Sequence, residues 1–388
     1  MKSAKTISRI FLTVFSTGLI VGGANSAFAQ GGSWATKAPM PTPRVSLGVG
    51  VVAGKLYAVG GNQSSGYPVN GTTEAYDPIT DTWTTNAPMP TARGRLGVAA
   101  VNGIVYAMGG CGDNACGNLL STLEAYDPVS NTWVSKAPMP TARRDFMVAV
   151  INGIIYVVGG LQGPGSSGIQ SVEAYDPATD TWSIKAPMPT ARGNVFGGVL
   201  NGLLYACGGT TGYGGSSQVF ATVEVYDPVL NAWTSRADMP LQLAGLGAGV
   251  VDGILYATGN GGDPSVWAYD PLTDSWSLKT PRPSNGGGLA VGVVDGILFA
   301  VGGSSAGVAI GVNEAFTPPP GLTLAMYAGL TIKAPVGSTN QIQYVTNLSD
   351  TNNWVTLTNL VLPSNPYIFI DYSSPGQPRR FYRDTLLP

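Results

Sequence analysis

The chain has 388 residues, a net charge of −2 and 11% charged residues. So little charge leaves no electrostatic footprint for nucleic acid. It has no histidine, which excludes Ser-His-Asp and Cys-His nucleophile systems and every His-ligated metal site; neither a metal nor a cofactor is expected.

Residues 1–29 read as a secretory signal peptide. Lys2, Lys5 and Arg9 form a basic start, residues 10–21 an apolar stretch, and Ala27-Phe28-Ala29 a small-x-small cleavage signal before Gln30. That stretch is too short and wrongly flanked for a membrane span. The expectation is a monomer without a membrane span, secreted, periplasmic or extracellular after cleavage near Ala29. Gln30 stands where a lipoprotein would need Cys.

A repeat follows. Trp34, Trp83, Trp133, Trp182, Trp233 and Trp276 each stand 26 residues before a glycine: Gly60, Gly109, Gly159, Gly208, Gly259 and Gly302. A second glycine follows all but one of these, as Gly61, Gly110, Gly160, Gly209 and Gly303; Asn260 follows Gly259. A period near 50 residues marks stacked β units that bury their apolar faces only against one another. Tyr76, Tyr126, Tyr175, Tyr226 and Tyr269 each lie seven residues before a Trp. All length variation therefore falls in one loop per unit, between the glycine pair and the Tyr. Free loops on one face of a repeat array are often its binding surface.

Residues 93–133 show one unit in full. Two apolar runs flank Asn102-Gly103, a type I′ hairpin signal. Gly109-Gly110 and the variable loop come next. A third strand ends at Asp127-Pro128, a turn signal, and Trp133 opens the fourth. Each unit is thus a four-stranded antiparallel meander, with apolar runs on the first two strands implying burial on both faces. Six such units predict an all-β, six-bladed propeller over residues 30–319. The sixth unit stops at Phe316 without a Trp strand, while the chain begins with one, over residues 33–38. The N-terminal strand is therefore expected to complete the sixth blade and bury its edges. Residues 320–388 do not repeat. Stretches at 341–346, 354–362, 367–372 and 380–386 predict a small C-terminal β module. It resembles a short C-terminal region of secreted bacterial proteins ending around Arg380-Phe381-Tyr382-Arg383, a likeness that implies no established role.

The glycine pairs, Glu-x-Tyr-Asp-Pro, the spaced Trp and Pro-Met-Pro-Thr-x-Arg together resemble the kelch family over roughly residues 33–317. Units five and six depart from the pattern at Gly259-Asn260, at Trp267 where Glu is expected, and at Phe316-Thr317 in place of Tyr-Asp.

Ten residues after the first four tryptophans stand Arg44, Arg93, Arg143 and Arg192; units five and six have Leu243 and Gly286 there. With Arg95, Arg144 and Asp145 these open the innermost strands on the loop face. Guanidinium groups gathered there would bind carboxylates or anionic sugars. The family resemblance implies the same, since matching arginines in kelch adaptors of ubiquitin ligases help bind acidic peptides. A second reading stays open. All five glutamates, Glu74, Glu124, Glu173, Glu224 and Glu314, occupy one repeat position at the start of strand three, within reach of a long Arg side chain from strand one. Arg and Glu would then satisfy one another.

Cys111 and Cys116 share one variable loop and read as a disulfide pair in an oxidising compartment. Cys207 falls in a core strand as an inert thiol. The functional expectation is an exported, non-catalytic module binding a protein or glycan, anionic on the arginine reading, across a groove deeper over blades one to four because the blade-five loop is short. The alternative is a carbohydrate-modifying enzyme resembling the kelch-type sialic-acid mutarotases.

Overall fold

The structure is a computed structural model. It describes residues 31–63, 68–163, 167–213, 215, 217–260 and 263–319, and five strands further on. The signal-peptide reading over 1–29 and the residue Arg380 lie outside the described residues. No described helix is long and apolar enough to cross a membrane.

The chain divides between Pro320 and Gly321. The first unit is a six-bladed β-propeller. Blade one is the meander Gly48–Val52, Lys55–Val59, Thr73–Asp77 and Thr82–Asn86, and the next three blades repeat it from Gly97, Met147 and Phe196. Blade five contains Gly247–Val251, Ile254–Asn260, Asp263–Asp270 and Ser275–Lys279. Its middle strands run on as a hairpin with a register shift between Thr258 and Asn260, where other blades insert a loop. Blade six takes Ala290–Val294, Ile297–Val301 and Asn313–Thr317 from the end of the repeat and Ser33–Thr36 from its beginning. Trp34 pairs with Phe316, so the N-terminal strand closes the ring. The second unit contains two antiparallel sheets. One pairs Ala328–Ile332 with Tyr367–Asp371; the other sets Thr339–Val345 between Val355–Val361 and Phe381–Leu386.

Burial is graded across each blade. In blade three the second and third strands, Ile154–Val158 and Val172–Asp176, are buried on both faces, whereas the inner strand Met147–Ile151 alternates and the outer strand Thr181–Lys185 is mostly exposed. The apolar run of the first strand thus reflects a channel-side face that is only half-buried, which corrects the expectation of burial on both its faces.

Two seams join neighbouring blades. At the outer edge each repeat Trp donates its Nε1–H to a carbonyl just beyond the preceding blade's outer strand, as Trp83 does to Ala38 at 2.8 Å, and Trp34 completes the circle on Thr280 at 2.9 Å. Asp81 Oδ1 accepts from both Ala38 N (2.9 Å) and Tyr76 Oη (2.6 Å), so Ala38 is held at both its N–H and its C=O. In blade six both partners of that acceptor bond are gone together: Phe316 replaces the Tyr and Gly32 the Asp.

Near the channel the glycine pair makes the second seam. Gly61 N–H donates to Arg93 O of the next blade at 3.0 Å, and Gly110, Gly160, Gly209 and Gly303 repeat the bond. A Cβ on Gly60 would lie 2.6 Å from that same Arg93 carbonyl, and Gly60 sits at φ +66°. The pair is therefore fixed by close approach of the adjoining blade as well as by left-handed backbone.

Candidate functional site

Arg44, Arg93, Arg143 and Arg192 are 0% exposed. They lie inside the blades and line no mouth, which corrects the ligand-contact reading and leaves the pairing one. Arg44 Nη2 meets Glu74 Oε2 at 2.7 Å, Arg93 meets Glu124 at 2.7 Å, Arg192 meets Glu224 at 2.9 Å, and Arg143 pairs with Glu173. Arg44 Nη1 also donates to the carbonyls of Gly60 (2.9 Å) and Thr72 (2.7 Å), binding both ends of the variable loop. The other oxygen of Glu74 accepts from Thr42 Oγ1 at 2.7 Å. Pro-Thr-x-Arg and the strand-three Glu are thus one buried polar unit. Burial pulls the Arg44 guanidinium below its usual pKa, opposed by the charge and hydrogen bond of Glu74.

The fifth glutamate exposes a residue that sequence reasoning missed. Arg282 Nη1 lies 3.5 Å from Glu314 Oε2. It occupies the repeat's Met position (Met40 in blade one), and Arg44 Nη2 lies 3.3 Å from Met40 Sδ. The two positions therefore adjoin, and either can supply the cation. The signal was an Arg in Pro-Arg-Pro, in the one unit with a Glu but no Arg at the usual place.

The mouth on the loop side is built from the residues two places further on: Ser46, Arg95, Asp145, Asn194, Gly245 and Gly288. All six have left-handed φ, between 52° and 69°. Each of the first five N–H groups bonds the preceding blade's equivalent carbonyl, from Ser46 N on Gly288 O (2.9 Å) to Gly245 N on Asn194 O (2.9 Å). This belt aims six α-carbons at a cavity of about 820 Å³, floored by an apolar ring that includes Leu47, Phe146, Leu246 and Leu289. Its lining also takes Tyr213 from the blade-four loop and residues 304–307 of blade six. All six blades therefore contribute to the lining.

On one side the lining is polar. Arg95 Nη1 donates to Asp145 Oδ2 at 3.1 Å and to Tyr213 Oη at 2.8 Å. Tyr213 Oη donates to Asp145 at 3.1 Å and accepts from Asn194 Nδ2 at 3.1 Å. Arg144 pairs with Asp145, and its guanidinium lies 4.9 Å from the Tyr213 ring centroid, that of Arg95 5.3 Å away. Burial works against the Arg95 cation, but Asp145 and Tyr213 outweigh it and raise its pKa. Burial, then Asp145, pushes the Tyr213 phenol up. Arg95, Arg144 and Asp145 are thus brought together by the fold, whereas the other four arginines are not part of this group. Tyr213 and Asn194 were missed; the residue two places after the repeat Arg was the signal for Asn194.

Cys111 and Cys116 form a disulfide with their Cα atoms 5.0 Å apart. Cys207 is a buried free thiol, pushed up to about 12 by burial. Among the described residues no group of three or more His, Cys, Asp or Glu is placed to hold a metal ion.

The fold and its mouth define a closed six-bladed propeller assembled from a tandem glycine-pair, Tyr and Trp repeat. The chain belongs to the kelch family: the kelch motif matches residues 43–90, 92–140, 142–189 and 191–240. Among solved structures it is similar to one titled "Structure of YjhT", with a TM-score of 0.63 at 17% identity over 73% of this chain and 97% of that one. At that identity the likeness concerns the fold. No curated protein matches the chain.

Proposed function

We propose that this protein is an exported, non-catalytic binding propeller that holds a protein or glycan partner at the loop-side mouth. The observation that carries the reading is the Arg95–Asp145–Asn194–Tyr213 cluster, convergent polar groups beside an apolar floor in a cavity of ligand size. The signal-like start of the chain, residues 1–29, supports export. Asp145 is the one carboxylate lining the cavity among the described residues, and two guanidinium groups hold it. Such an acid is suited to fixing its neighbours more than to moving protons.

A carbohydrate-modifying enzyme is the second reading, and it draws on the Tyr213–Asp145 hydrogen bond, a donor and acceptor facing one cavity. Glycan and peptide arrays probed with the wild type, Arg95→Ala and Asp145→Asn test the main proposal. Specific binding by the wild type, weakened tenfold or more by either change at unchanged Tm, is expected. Equal binding by all three overturns the mouth as the site. Accelerated anomer exchange of a bound sugar in NMR overturns the non-catalytic assignment.

A further inference from the structure

The mouth is not symmetric. Four of its six belt positions carry side chains, Ser46, Arg95, Asp145 and Asn194, and two are glycine. Backbone conformation does not require glycine there, because the four residues with side chains have φ of 52° to 56°, close to the 69° of Gly245 and 66° of Gly288. Crowding accounts for Gly288, where a Cβ would lie 2.7 Å from Val45 Cγ2. It does not account for Gly245, where a Cβ would meet only Asn194 Oδ1, at 3.6 Å, and otherwise open space. Gly245 keeps the belt bond to Asn194 O, so its backbone does what its equivalents do. What it lacks is the side chain that would project into the cavity.

We infer that Gly245 is the specificity-determining gap in the mouth, and that it admits a sugar-sized ring bearing hydroxyl groups. This rests on the mouth being the binding site. The groups around the gap read hydroxyls: Asn194 donates and accepts, Asp145 accepts, and Arg95 donates. A hydroxyl of the chain itself, Tyr213 Oη, already sits on all three. Beneath Gly245, Leu246 and Leu289 supply an apolar floor for the C–H face of a saturated ring. Asp145 is shared by two guanidinium groups, so the cluster keeps one positive charge in excess. It accommodates a neutral ring or one bearing a single carboxylate.

The purified full chain would be titrated with D-glucose and D-glucuronate by saturation-transfer NMR and calorimetry, alongside Gly245→Asn and Gly202→Asn. Asparagine is the side chain best tolerated at such φ. Gly202 is the control, with φ +76° and nothing within 4 Å of the place its Cβ would take. The expected result is binding of one or both sugars by the wild type and Gly202→Asn, weakened at least tenfold in Gly245→Asn at matching Tm. Should Gly245→Asn fold poorly, Gly245→Ala, which fills less space, is expected to weaken binding severalfold. Glucose binding assigns a neutral ring, and binding of glucuronate alone assigns a carboxylated one. Unchanged affinity in both Gly245 variants overturns the gap as the determinant. Binding of neither sugar overturns the ring, and the mouth itself still stands if array peptides bind in an Arg95-dependent way.

Discussion

Leu243 and Trp267 of blade five share one apolar cluster between blades four and five, at the two positions where blades one to four hold a buried arginine on a glutamate. The Thr of that unit is gone as well, replaced by Leu241. Cation, anion and hydroxyl have been exchanged together, as expected for groups that are costly to bury singly. The exchange is incomplete, because the buried Trp267 Nε1–H has no partner.

Arg93→Ala should therefore leave Glu124 buried without its cation and destabilise the protein by about 3–5 kcal/mol. Arg93→Leu combined with Glu124→Trp, which imports the blade-five solution, should recover at least half of that loss in urea unfolding. Ligand binding by the double variant should match the wild type, because neither side chain reaches the mouth.

The Tyr–Asp clamps make the seams sensitive to acid. The hydrogen bond from Tyr76, then that from Ala38 N, lowers the Asp81 pKa, and Asp180 and Asp274 are lowered by their own Tyr and Ala partners. A depressed carboxylate contributes stability that is full above its unfolded pKa, near 3.8, and is lost as pH falls through the folded value. Blades two and four hold Asn131 and Asn231 at the same place, with the Tyr hydrogen bonds intact at 2.8 and 2.7 Å. The triple change Asp81→Asn, Asp180→Asn and Asp274→Asn keeps the Tyr hydrogen bonds but removes the ionised carboxylates' contribution, so it should lower Tm modestly at pH 7 and flatten its decline below pH 4.

The blades, their number and their closure were legible because they depend on local spacing. Glycine pairs, Asn-Gly turns and Trp positions recur at fixed intervals, and the unmatched ends at Trp34 and Phe316 fit each other. The mouth was only partly legible. Arg44, Arg93, Arg143 and Arg192 are regular, and regularity here marks architecture. Arg95, Asp145 and Asn194 break the repeat, yet their grouping depends on the ring bringing blades two, three and four together. Tyr213 comes from a variable loop whose reach back to Arg95, 118 residues away in sequence, follows no local pattern. Arg282 was hidden because it performs a repeat function from a different repeat position.

The glycine pair can be tested within one blade. Gly60→Ala would drive a Cβ against Arg93 O and strain the Gly61 hydrogen bond, whereas Gly54, at φ +75°, has nothing within 4 Å. Gly54→Ala should cost only the left-handed backbone penalty of roughly 1–2 kcal/mol. Gly60→Ala carries the same penalty plus the clash, and should exceed it by about 1–3 kcal/mol. Equal losses in denaturant unfolding would mean that close approach of the next blade does not select glycine.

Closure makes the sharpest test of the ring. Trp34 donates to Thr280 O at 2.9 Å and its ring packs at a tilt 5.0 Å from that of Phe316, whose ring in turn lies 5.5 Å from Tyr256 of blade five. Trp133 makes the matching contacts within and beside blade two, donating to Ala87 O at 2.9 Å and lying 5.1 Å from Tyr126. Trp34→Ala and Trp133→Ala should each destabilise by roughly 3 kcal/mol, but their local effects should differ. Trp133 lies on a strand tethered by a short turn to its neighbour, so its loss loosens blade two alone. Trp34 lies on a strand that reaches blade six only by pairing across the ring, so its loss lets that strand leave. Hydrogen exchange should then accelerate along Asn313–Thr317, the edge that Ser33–Thr36 covers. Unchanged protection there in Trp34→Ala would show that the ring holds without its N-terminal strand.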